Sequence, residues 1–573
     1  MMFYKETIFK DTEIGRIPKD WEVVRVNKLF NLYKGTTPST KIKEYWDGTI
    51  PFVTPTDITK INDLNEIYLK TTENYITEKG LKSKGLKLVP KRSLLFTSRA
   101  TIGYLAINKV EVAINKGIIS LIPKDANVDV TFFYYFFQKL SDLFENLAGG
   151  STYKEISMST FSNINVPLPS LSEQQRIAEI LSTVDEAIQK TNEIIAKTER
   201  LKKGLMQELL TKGLILGFMF DTNVFNAIID NRIDLRQLPR NLKYYVTHIQ
   251  YDEICSTQNE ERKRELLEIM EKVPNEVIAT EGAVYGVSRY GMAKFVSEAD
   301  AKQYDEMLRR LKELDEEAGK KKPVENQIRD VLIALTSIKN CLVLITEDKN
   351  LKKVTEEFNG QAITLEQFQK REYREFKDTE IGRIPKHWKV VRFSDVVNTL
   401  PGFAFSSKFF SKEKGIPLIR IRDLGKDNTE TFYNGPYKEE YLVEKGDILV
   451  SMDGEFNVYL WKGSSGLLNQ RVMKIWPKCE EKLDALYLYY ASQKPLKSFE
   501  YRIAATTVKH LLTEHFRLIK MPLPPLQEQQ KIAEILSIID KELEVERNEK
   551  AKLEKIKQGL MNLLLTGKIR VRV

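Results

Sequence analysis

The sequence is poor in the residues that most often form metal and disulfide sites. Its 573 residues include only three cysteines and four histidines, which are scattered along the chain. Their spacing fits neither a disulfide framework nor a structural zinc site. The sequence also lacks a run of about 18 apolar residues, and its first residues, MMFYKETIFKDTE, lack the apolar core of a signal peptide. We therefore expect a soluble, cytoplasmic protein that does not enter a membrane.

The chain is long and carries an excess of positive charge. A length of 573 residues is too great for one hydrophobic core, which predicts about three to four domains. The formal net charge is +9, yet residues 214–374 contain 25 Lys and Arg against 28 Asp and Glu, so the remainder carries about +12. A basic surface suits phosphate contact, because each neutralised phosphate releases counterions. Charge alone does not separate a nucleic-acid interface from an ordinary solvated face.

One stretch of the sequence occurs twice. FKDTEIGRIPKDWEVVR, residues 9–25, returns as FKDTEIGRIPKHWKVVR, residues 376–392, and we call these stretches the lead segments. Two further blocks also return: PLPSLSEQQRIAEILSTVDEAI (167–188) as PLPPLQEQQKIAEILSIIDKEL (522–543), and LKKGLMQELLTKG (201–213) as IKQGLMNLLLTGK (556–568). Each copy runs from a lead segment through a variable region to a long helix, so the chain is an internal duplication.

Both repeated helices have a narrow apolar seam. Apolar residues recur at spacings of three and four: Ile177, Leu181, Val184, Ile188, Ile195, Leu205 and Leu209 in the first copy, and Ile532, Leu536, Ile539, Leu543, Leu553, Leu560 and Leu564 in the second. Each helix should have about 40 residues and a length of about 60 Å. Such a seam on so long a helix is typical of a coiled coil, whereas an ordinary core helix averages about 11–12 residues.

These repeats and several shorter motifs resemble the specificity subunit of type I restriction-modification systems. The motifs are GRIPKDW and GRIPKHW, GTTPST…EYWDGTIPFVTPTDI (35–58), GGSTYKEI (149–156), EKGDILVSMDG (444–454), TTVKHL (506–511) and the paired PLPxLxEQQxIAEIL. The resemblance implies an α+β fold in which two target recognition domains are joined by two long antiparallel helices, packed as a coiled coil. The implied boundaries are 1–166 and 376–521 for the recognition domains, and 167–213 and 522–573 for the helices.

The resemblance also implies a non-catalytic DNA reader. Each recognition domain would contact one half of a split site in double-stranded DNA, and the helices would set the gap. The catalytic activities would belong to two methyltransferase (M) subunits and to restriction (R) subunits bound as partners. In agreement, the sequence contains no glycine-rich dinucleotide loop and no NPPY-type methyltransferase tetrapeptide. The two variable regions differ widely, so we expect an asymmetric target.

Basic and hydroxyl residues at expected loop positions are candidate DNA contacts. In the first variable region these are Lys82, Lys84, Lys87, Ser98, Arg99 and Thr101. In the second they are Arg420, Arg422, Lys509 and His510.

Residues 214–375 form an insert between the two copies. Apolar runs such as LILGFMF, YYVTHI and CLVLI alternate with helical patterns, which predicts an α/β domain with a parallel sheet. Acidic residues follow these runs or open a helix: Asp221, Glu253, Asp330 and Asp348. The arrangement, with FDTNVF and LITEDKNL as first and last signatures, resembles the PIN nuclease domain, a three-layer α/β fold.

The four carboxylates are candidate catalytic residues and ligands of Mg²⁺ or Mn²⁺, because these ions prefer oxygen ligands and can activate water. Asn223, Asp252, Thr346 and Glu347 are candidate supporting residues. Any one acidic residue could instead be a helix cap. The basic stretch GKKKP (319–323) could guide nucleic acid or be a solvated loop.

Three hypotheses follow. In the first, the chain is a DNA specificity subunit with an auxiliary nuclease. In the second, the nuclease is primary and the recognition domains target it. In the third, the insert is an inactive passenger.

Overall fold

The structure is a computed structural model that describes residues 3–63, 65–99, 101–148, 154–215, 217–230, 243–273, 275–294, 297–370, 376–502 and 509–572. Parts of two motifs, residues 149–153 and 506–508, lie outside the described residues. The chain divides into two compact units, residues 1–200 with 540–573 and residues 201–539. In the described ranges, no helix is both long and apolar enough to cross a bilayer.

The first variable region is built mainly of short strands. Its strands are β1 (Phe3–Lys5), β2 (Phe9–Thr12), β3 (Gly15–Pro18), β4 (Glu22–Arg25), β5 (Phe30–Lys34), β6 (Trp46–Val53), β7 (Tyr68–Leu69), β8 (Asn74–Ile76), β9 (Leu94–Thr97), β10 (Leu105–Asn108), β11 (Ala113–Ile114), β12 (Ile118–Pro123) and β13 (Asn165–Leu168). Its helices are α1 (Val26–Leu29), α2 (Pro55–Asp63), α3 (Glu78–Ser83), α4 (Val130–Lys139), α5 (Ser141–Leu147) and α6 (Met158–Ser162). The central sheet has the order β5-β12-β9-β10-β7, and α7 (Leu171–Lys212) follows the region.

The insert folds as one parallel sheet with helices on both faces. Its elements are β14 (Phe218–Phe220), α8 (Thr222–Ile229), β15 (Tyr244–Val246), α9 (His248–Cys255), α10 (Glu260–Lys272), β16 (Asn275–Val277), α11 (Glu298–Glu317), α12 (Val324–Lys339), β17 (Val343–Ile345), α13 (Lys349–Glu357), β18 (Gln361–Ile363) and α14 (Leu365–Gln369). The strand order is β16-β15-β14-β17-β18, and every neighbouring pair is parallel. Alternate residues of β14 pack in different hydrophobic cores. Phe218 and Phe220 lie in the core on one face of the sheet, and Met219 lies in the core on the other face. The parallel α/β arrangement predicted from the sequence is therefore present.

The second variable region repeats the plan of the first. Its strands are β19 (Phe376–Thr379), β20 (Gly382–Pro385), β21 (Lys389–Arg392), β22 (Val397–Pro401), β23 (Phe410–Ser411), β24 (Ile416–Ile419), β25 (Phe432–Tyr433), β26 (Leu442–Val443), β27 (Ile448–Ser451), β28 (Val458–Leu460), β29 (Gly466–Leu468), β30 (Val472–Pro477) and β31 (Lys520–Leu523). Its helices are α15 (Phe393–Val396) and α16 (Ala485–Arg502), and α17 (Leu526–Leu564) and β32 (Ile569–Val571) complete the chain. The sheet β22-β30-β27-β28 has the same order as β5-β12-β9-β10.

The long helices have the expected length and, within the first unit, run in opposite directions. The helix α7 has 42 residues and α17 has 39. Asp185 pairs with Lys557 at 2.8 Å, and Glu199, further along α7, pairs with the earlier Arg547 at 2.6 Å. Later residues of α7 therefore pair with earlier residues of α17, which is an antiparallel arrangement.

Each lead segment folds as a hairpin that ends at a buried tryptophan. The pairing of β2 with β3 runs from Phe9 opposite Pro18 to Thr12 opposite Gly15, and β19 and β20 repeat this register. Gly15 has a φ of 100°, a left-handed conformation that glycine adopts without steric cost. The tryptophan that follows the hairpin, Trp21 or Trp388, is buried in the core of its own unit.

The EQQ motif binds each lead segment to its own half of the fold. Trp21 Nε1 donates to Glu173 Oε2 at 3.0 Å, and Trp388 Nε1 donates to Glu528 Oε2 at 2.9 Å. The next residue, Gln174, donates to Pro169 O and accepts from Asp129 N, both at 2.9 Å. The equivalent Gln529 makes the same bonds with Pro524 and Asp484. The two lead segments therefore make the same contact, and each closes its own unit.

The lead segments differ at a position that meets different partners. Asp20 receives two bonds from the Arg570 guanidinium, at 2.9 and 2.7 Å, and Arg570 also pairs with Glu173. In the second copy His387 Nε2 lies 3.0 Å from Glu528 Oε2 and 3.2 Å from Gln361 Nε2 of the insert. The change from aspartate to histidine thus follows a change of neighbours.

Candidate functional site

The candidate DNA residues of the first variable region fall in two segments. Lys82, Lys84 and Lys87 are exposed on α3 and just beyond it. Thr101 is exposed in the loop after β9. The prediction for Ser98 was wrong, because this residue is fully buried and its hydroxyl donates to Gly117 O at 3.2 Å. A side chain inside the domain cannot contact DNA.

Arg99 lies beside Ser98 at a bridge to a distant part of the chain. Arg99 and Glu155 form an isolated antiparallel β-bridge. The backbone of Ser98 donates to Gly117 O at 2.8 Å and accepts from Ile156 N at 2.9 Å. The Glu155 carboxylate pairs with Lys34.

The second variable region has the same bridge at the equivalent position after β27. The backbone of Met452 donates to Arg471 O at 3.1 Å and accepts from Leu511 N at 2.7 Å. Asp453 and His510 form the isolated β-bridge. The Asp453 carboxylate also accepts from His510 Nδ1 and pairs with Arg471 Nη1 at 3.1 Å. His510 is therefore brought together with an aspartate and an arginine that sequence reasoning missed.

The other candidates of the second region have local roles or open surroundings. The Arg420 guanidinium lies 3.6 Å from Asp423 and donates to Thr431, so it stabilises its own turn. Lys509 lies 3.7 Å from Glu500. Arg422 is exposed. DNA contact by these residues stays a prediction.

The insert brings its four candidate carboxylates to one edge of the parallel sheet. Asp221 caps α8 and accepts from Thr222 N at 2.7 Å, and its other oxygen accepts from Asn223 and Thr346, both at 2.6 Å. Glu253 accepts from the Thr222 hydroxyl. Asp348 caps α13 and accepts from Asn350 N at 2.9 Å.

Two of these residues lie further along a helix than the sequence predicts. Glu253 is on α9, seven residues beyond β15, because Thr247 and Gln250 form a capping box that starts a helix directly after the strand. Asp330 does not open α12, which begins at Val324 immediately after Pro323. Asp330 therefore reaches the edge from the second turn of that helix.

Two of the expected supporting residues contact Asp221, and two do not. Asn223 and Thr346 hold its carboxylate, as described above. Asp252 instead pairs with Arg289, and Glu347 accepts from Leu365 N at the start of α14.

Lys322 lies among the carboxylates and neutralises part of their charge. Its ammonium bonds Asp330 and lies 3.0 Å from Asp348, which Lys320 also contacts at 3.1 Å. The GKKKP stretch is therefore not an ordinary solvated loop at these two lysines.

The pKa values of the carboxyl groups reflect burial and mutual repulsion. Burial, together with the charge of Glu253, raises the pKa of Asp221 to about 6, and burial with the charge of Asp221 raises the pKa of Asp330 to about 7. Burial also raises the pKa of Glu253. At Asp348 burial is outweighed by Lys322 and Lys320, which leave its pKa lowered to about 2.

The donor chemistry of this edge suits a divalent cation, although the side chains are not placed around one. Within the described ranges, no three Asp, Glu, His or Cys side chains are arranged so that they could hold one ion. At this edge Lys322 contacts two of the four carboxylates, Asp330 and Asp348. Carboxylates that repel one another in a buried setting are the groups that a divalent ion stabilises.

The comparisons with known proteins identify the family. The model of the type I restriction modification DNA specificity domain matches residues 18–200 and 385–555, which is more than half of the chain. The chain belongs to this family. The stretch between the two matches contains the insert.

Relatives in this family match either a part of the chain or its whole length. The MjaIX specificity subunit of Methanocaldococcus jannaschii is 44% identical over 199 residues, which are 34% of this chain and 45% of that protein. The MjaVIII specificity subunit of the same organism is 24% identical over 594 aligned positions, covering 100% of this chain and 98% of that protein. Among solved structures, the type I S subunit from M. genitalium aligns with 95% of this chain at 14% identity and a TM-score of 0.43.

Proposed function

We propose that this chain reads an asymmetric, two-part target in double-stranded DNA for a type I restriction-modification complex. The observation that carries the proposal is the pair of variable regions. They share one sheet order and one closing contact, Trp21 with Glu173 and Trp388 with Glu528. They differ in the side chains at the isolated bridge that follows β9 in the first region and β27 in the second. A shared frame with different surfaces suits two readers of different half-sites.

The proposal includes partners, because large apolar side chains are exposed on both long helices. These side chains are Ile194, Leu201, Ile538, Val545 and Ile556. Exposed apolar surface of this kind supports protein contacts. Two similar helical surfaces would bind two M subunits, and R subunits would join that complex.

Methylation mapping tests this function. Cells that express the chain with a methyltransferase subunit that co-purifies with it should acquire methylation at one sequence made of two unlike half-sites. The same cells without the chain serve as the control. Methylation that does not depend on the chain, or that falls on an uninterrupted palindrome, would contradict the proposal.

A ruler role for the two helices is part of the same proposal. Their apolar seams and the opposed pairs Asp185–Lys557 and Glu199–Arg547 support a coiled coil. Adding four residues to each helix at the level of Glu199 and Arg547 should lengthen the rod by about 6 Å. We expect the methylated sequence to gain about two base pairs between unchanged half-sites, at about 3.4 Å per base pair.

The control for this length change is an insertion of the same four residues between α9 and α10 of the insert. It should leave the gap unchanged, because that loop belongs to neither helix. An unchanged gap in the lengthened variant would show that the helices do not set the distance.

We propose as a second function that the insert, residues 214–375, is a PIN-like nuclease that uses Mg²⁺ or Mn²⁺. The carboxylates of Asp221, Glu253, Asp330 and Asp348 at one sheet edge favour it. A bound ion would supply Lewis acidity and a reactive water for phosphodiester cleavage. Lys322 contacts Asp330 and Asp348, so a bound ion and the lysine ammonium would compete for these two carboxylates. The remaining alternatives are that the nuclease is the chain's main activity or that the insert is inactive.

A further inference from the structure

Beside the isolated bridge that follows β27, the second variable region has Arg471 where the first region has Gly117 beside the bridge that follows β9. Gly117 O and Arg471 O accept the equivalent backbone hydrogen bonds. A Cβ atom at Gly117 would lie 3.1 Å from Pro55 Cγ, so a long side chain there would require Pro55 to move. The first region is therefore not built to present an arginine from this position, whereas the second region presents one.

Arg471 is exposed but fixed at one end. Its side chain is 61% exposed, and its Nη1 is bound at 3.1 Å to Asp453, whose side chain is only 15% exposed. His510 Nδ1 bonds the same aspartate from the other strand of the bridge. Asp453 is thus a partly buried acceptor that orients two exposed basic side chains.

This arrangement suits the reading of a base edge. A guanidinium has five N–H donors in one plane, and a single carboxylate contact leaves donors free for a second planar acceptor. Holding the group in advance reduces the conformational entropy lost on binding. In the major groove, guanine O6 and N7 together accept two parallel bonds from one arginine.

We propose that Arg471 reads a guanine in the half-site of the second variable region, and that Asp453 is its positioning residue. The proposal rests on the proposed function as a reader of a two-part target. The first region, with Gly117 at the equivalent position, recognises its half-site without this contact. The two halves of the target then differ in chemistry as well as in sequence.

The test is selection from a randomised duplex DNA library by the full chain, in the complex in which it is isolated from its cells. The variants are Arg471→Ala, Arg471→Lys and Asp453→Asn. The matched control is Arg547→Ala, because Arg547 is 60% exposed and pairs with one carboxylate, as Arg471 does, but lies on α17. Unfolding midpoints are measured for each variant.

Wild type should select two half-sites with a guanine in the second. Arg471→Ala should lose preference at that one position by about ten- to a hundredfold and keep the first half-site. Arg471→Lys should restore overall affinity but not the guanine preference, since an ammonium cannot make two parallel bonds. Asp453→Asn should weaken preference at the same position and at no position beyond those that Arg471 and His510 contact, whereas a merely structural role would weaken the whole second half-site. Arg547→Ala should match wild type.

Three results would overturn the inference. Unchanged selection by Arg471→Ala would show that the side chain reads nothing. Equal loss at every sequence would assign it to a phosphate contact. If wild type selects no two-part sequence, the proposed function fails and this inference fails with it. If wild type selects a two-part sequence and Arg471→Ala selects the same one, only this inference fails.

Discussion

Replacing Asp221 with asparagine should abolish metal-dependent cleavage of RNA or single-stranded DNA by this protein. The asparagine can still cap α8, but it removes a carboxylate from the group that would bind the ion. We expect a loss of at least about a hundredfold, which is the upper end of the effect of residues that only support a metal ligand. Cleavage assays with Mn²⁺ or Mg²⁺ and calorimetric titration with Mn²⁺ measure the change.

The matched control is Asp230→Asn, an exposed aspartate that follows α8 and pairs with Arg262. It should cleave and bind Mn²⁺ as wild type does. Lys322→Ala should bind Mn²⁺ more tightly than wild type, because it removes the competing ammonium. Selection of DNA sequence should survive in all three variants, since the insert has its own cores.

The outcomes separate the hypotheses about the insert. Equal cleavage by wild type and Asp221→Asn would point to a contaminant and contradict the nuclease. An absence of both Mn²⁺ binding and cleavage in wild type and Lys322→Ala would identify the insert as an inactive passenger. Cleavage that requires Asp221 but no methylation in the mapping experiment would favour the nuclease as the main activity.

Replacing Arg570 with methionine should destabilise the first unit by about 3–5 kcal/mol. Arg570 and Glu173 are both buried, and Arg570 also pairs with Glu6 and Asp20. Removing one member of a buried ion pair leaves the other charge without compensation, which is the costly case. Hydrogen exchange across a urea series should show lower midpoints for peptides from β4 and from the start of α7.

Peptides from β21 and α16 are the internal control, because the second unit is closed by Trp388 and Glu528. Arg570 and its partners Glu6, Asp20 and Glu173 all belong to the first unit. Arg547→Met is the surface control, and an exposed pair of this kind contributes about 0–1 kcal/mol. The double change Arg570→Met with Glu173→Gln should recover part of the loss, since no buried charge remains unpaired. Equal shifts in both units would contradict this account.

The sequence predicted the elements whose signal is local or repeated. The long helices, the duplication and the parallel sheet of the insert follow from periodicity and from repeated blocks, which report directly on helix faces and strand runs. The carboxylates Asp221 and Asp348 follow short apolar strands, and strand ends in a parallel sheet meet at one edge.

Other features depend on contacts that the sequence does not encode locally. Ser98 resembles an exposed loop hydroxyl, yet its backbone bonds two distant residues, Gly117 and Ile156, and its side chain is buried. Arg570 and Glu173 are 397 residues apart, so no spacing rule connects them. Arg471 and Asp453 meet only because the bridge brings them together, and comparison of the two copies at that bridge was the signal that could have found them.

The difference between Asp20 and His387 has a consequence for the gene. The lead segments are near-identical, so their coding sequences could recombine and exchange one copy for the other. An exchange that carried Asp20 into the second copy would face it with Glu528, acid against acid, while His387 in the first copy would leave Arg570 without one of its carboxylates. Crossovers that keep each of these two residues with its own unit would be tolerated, and those that swap them would be selected against. Asp20 and His387 thus mark which copy is which along a stretch that otherwise differs only at Glu22 and Lys389.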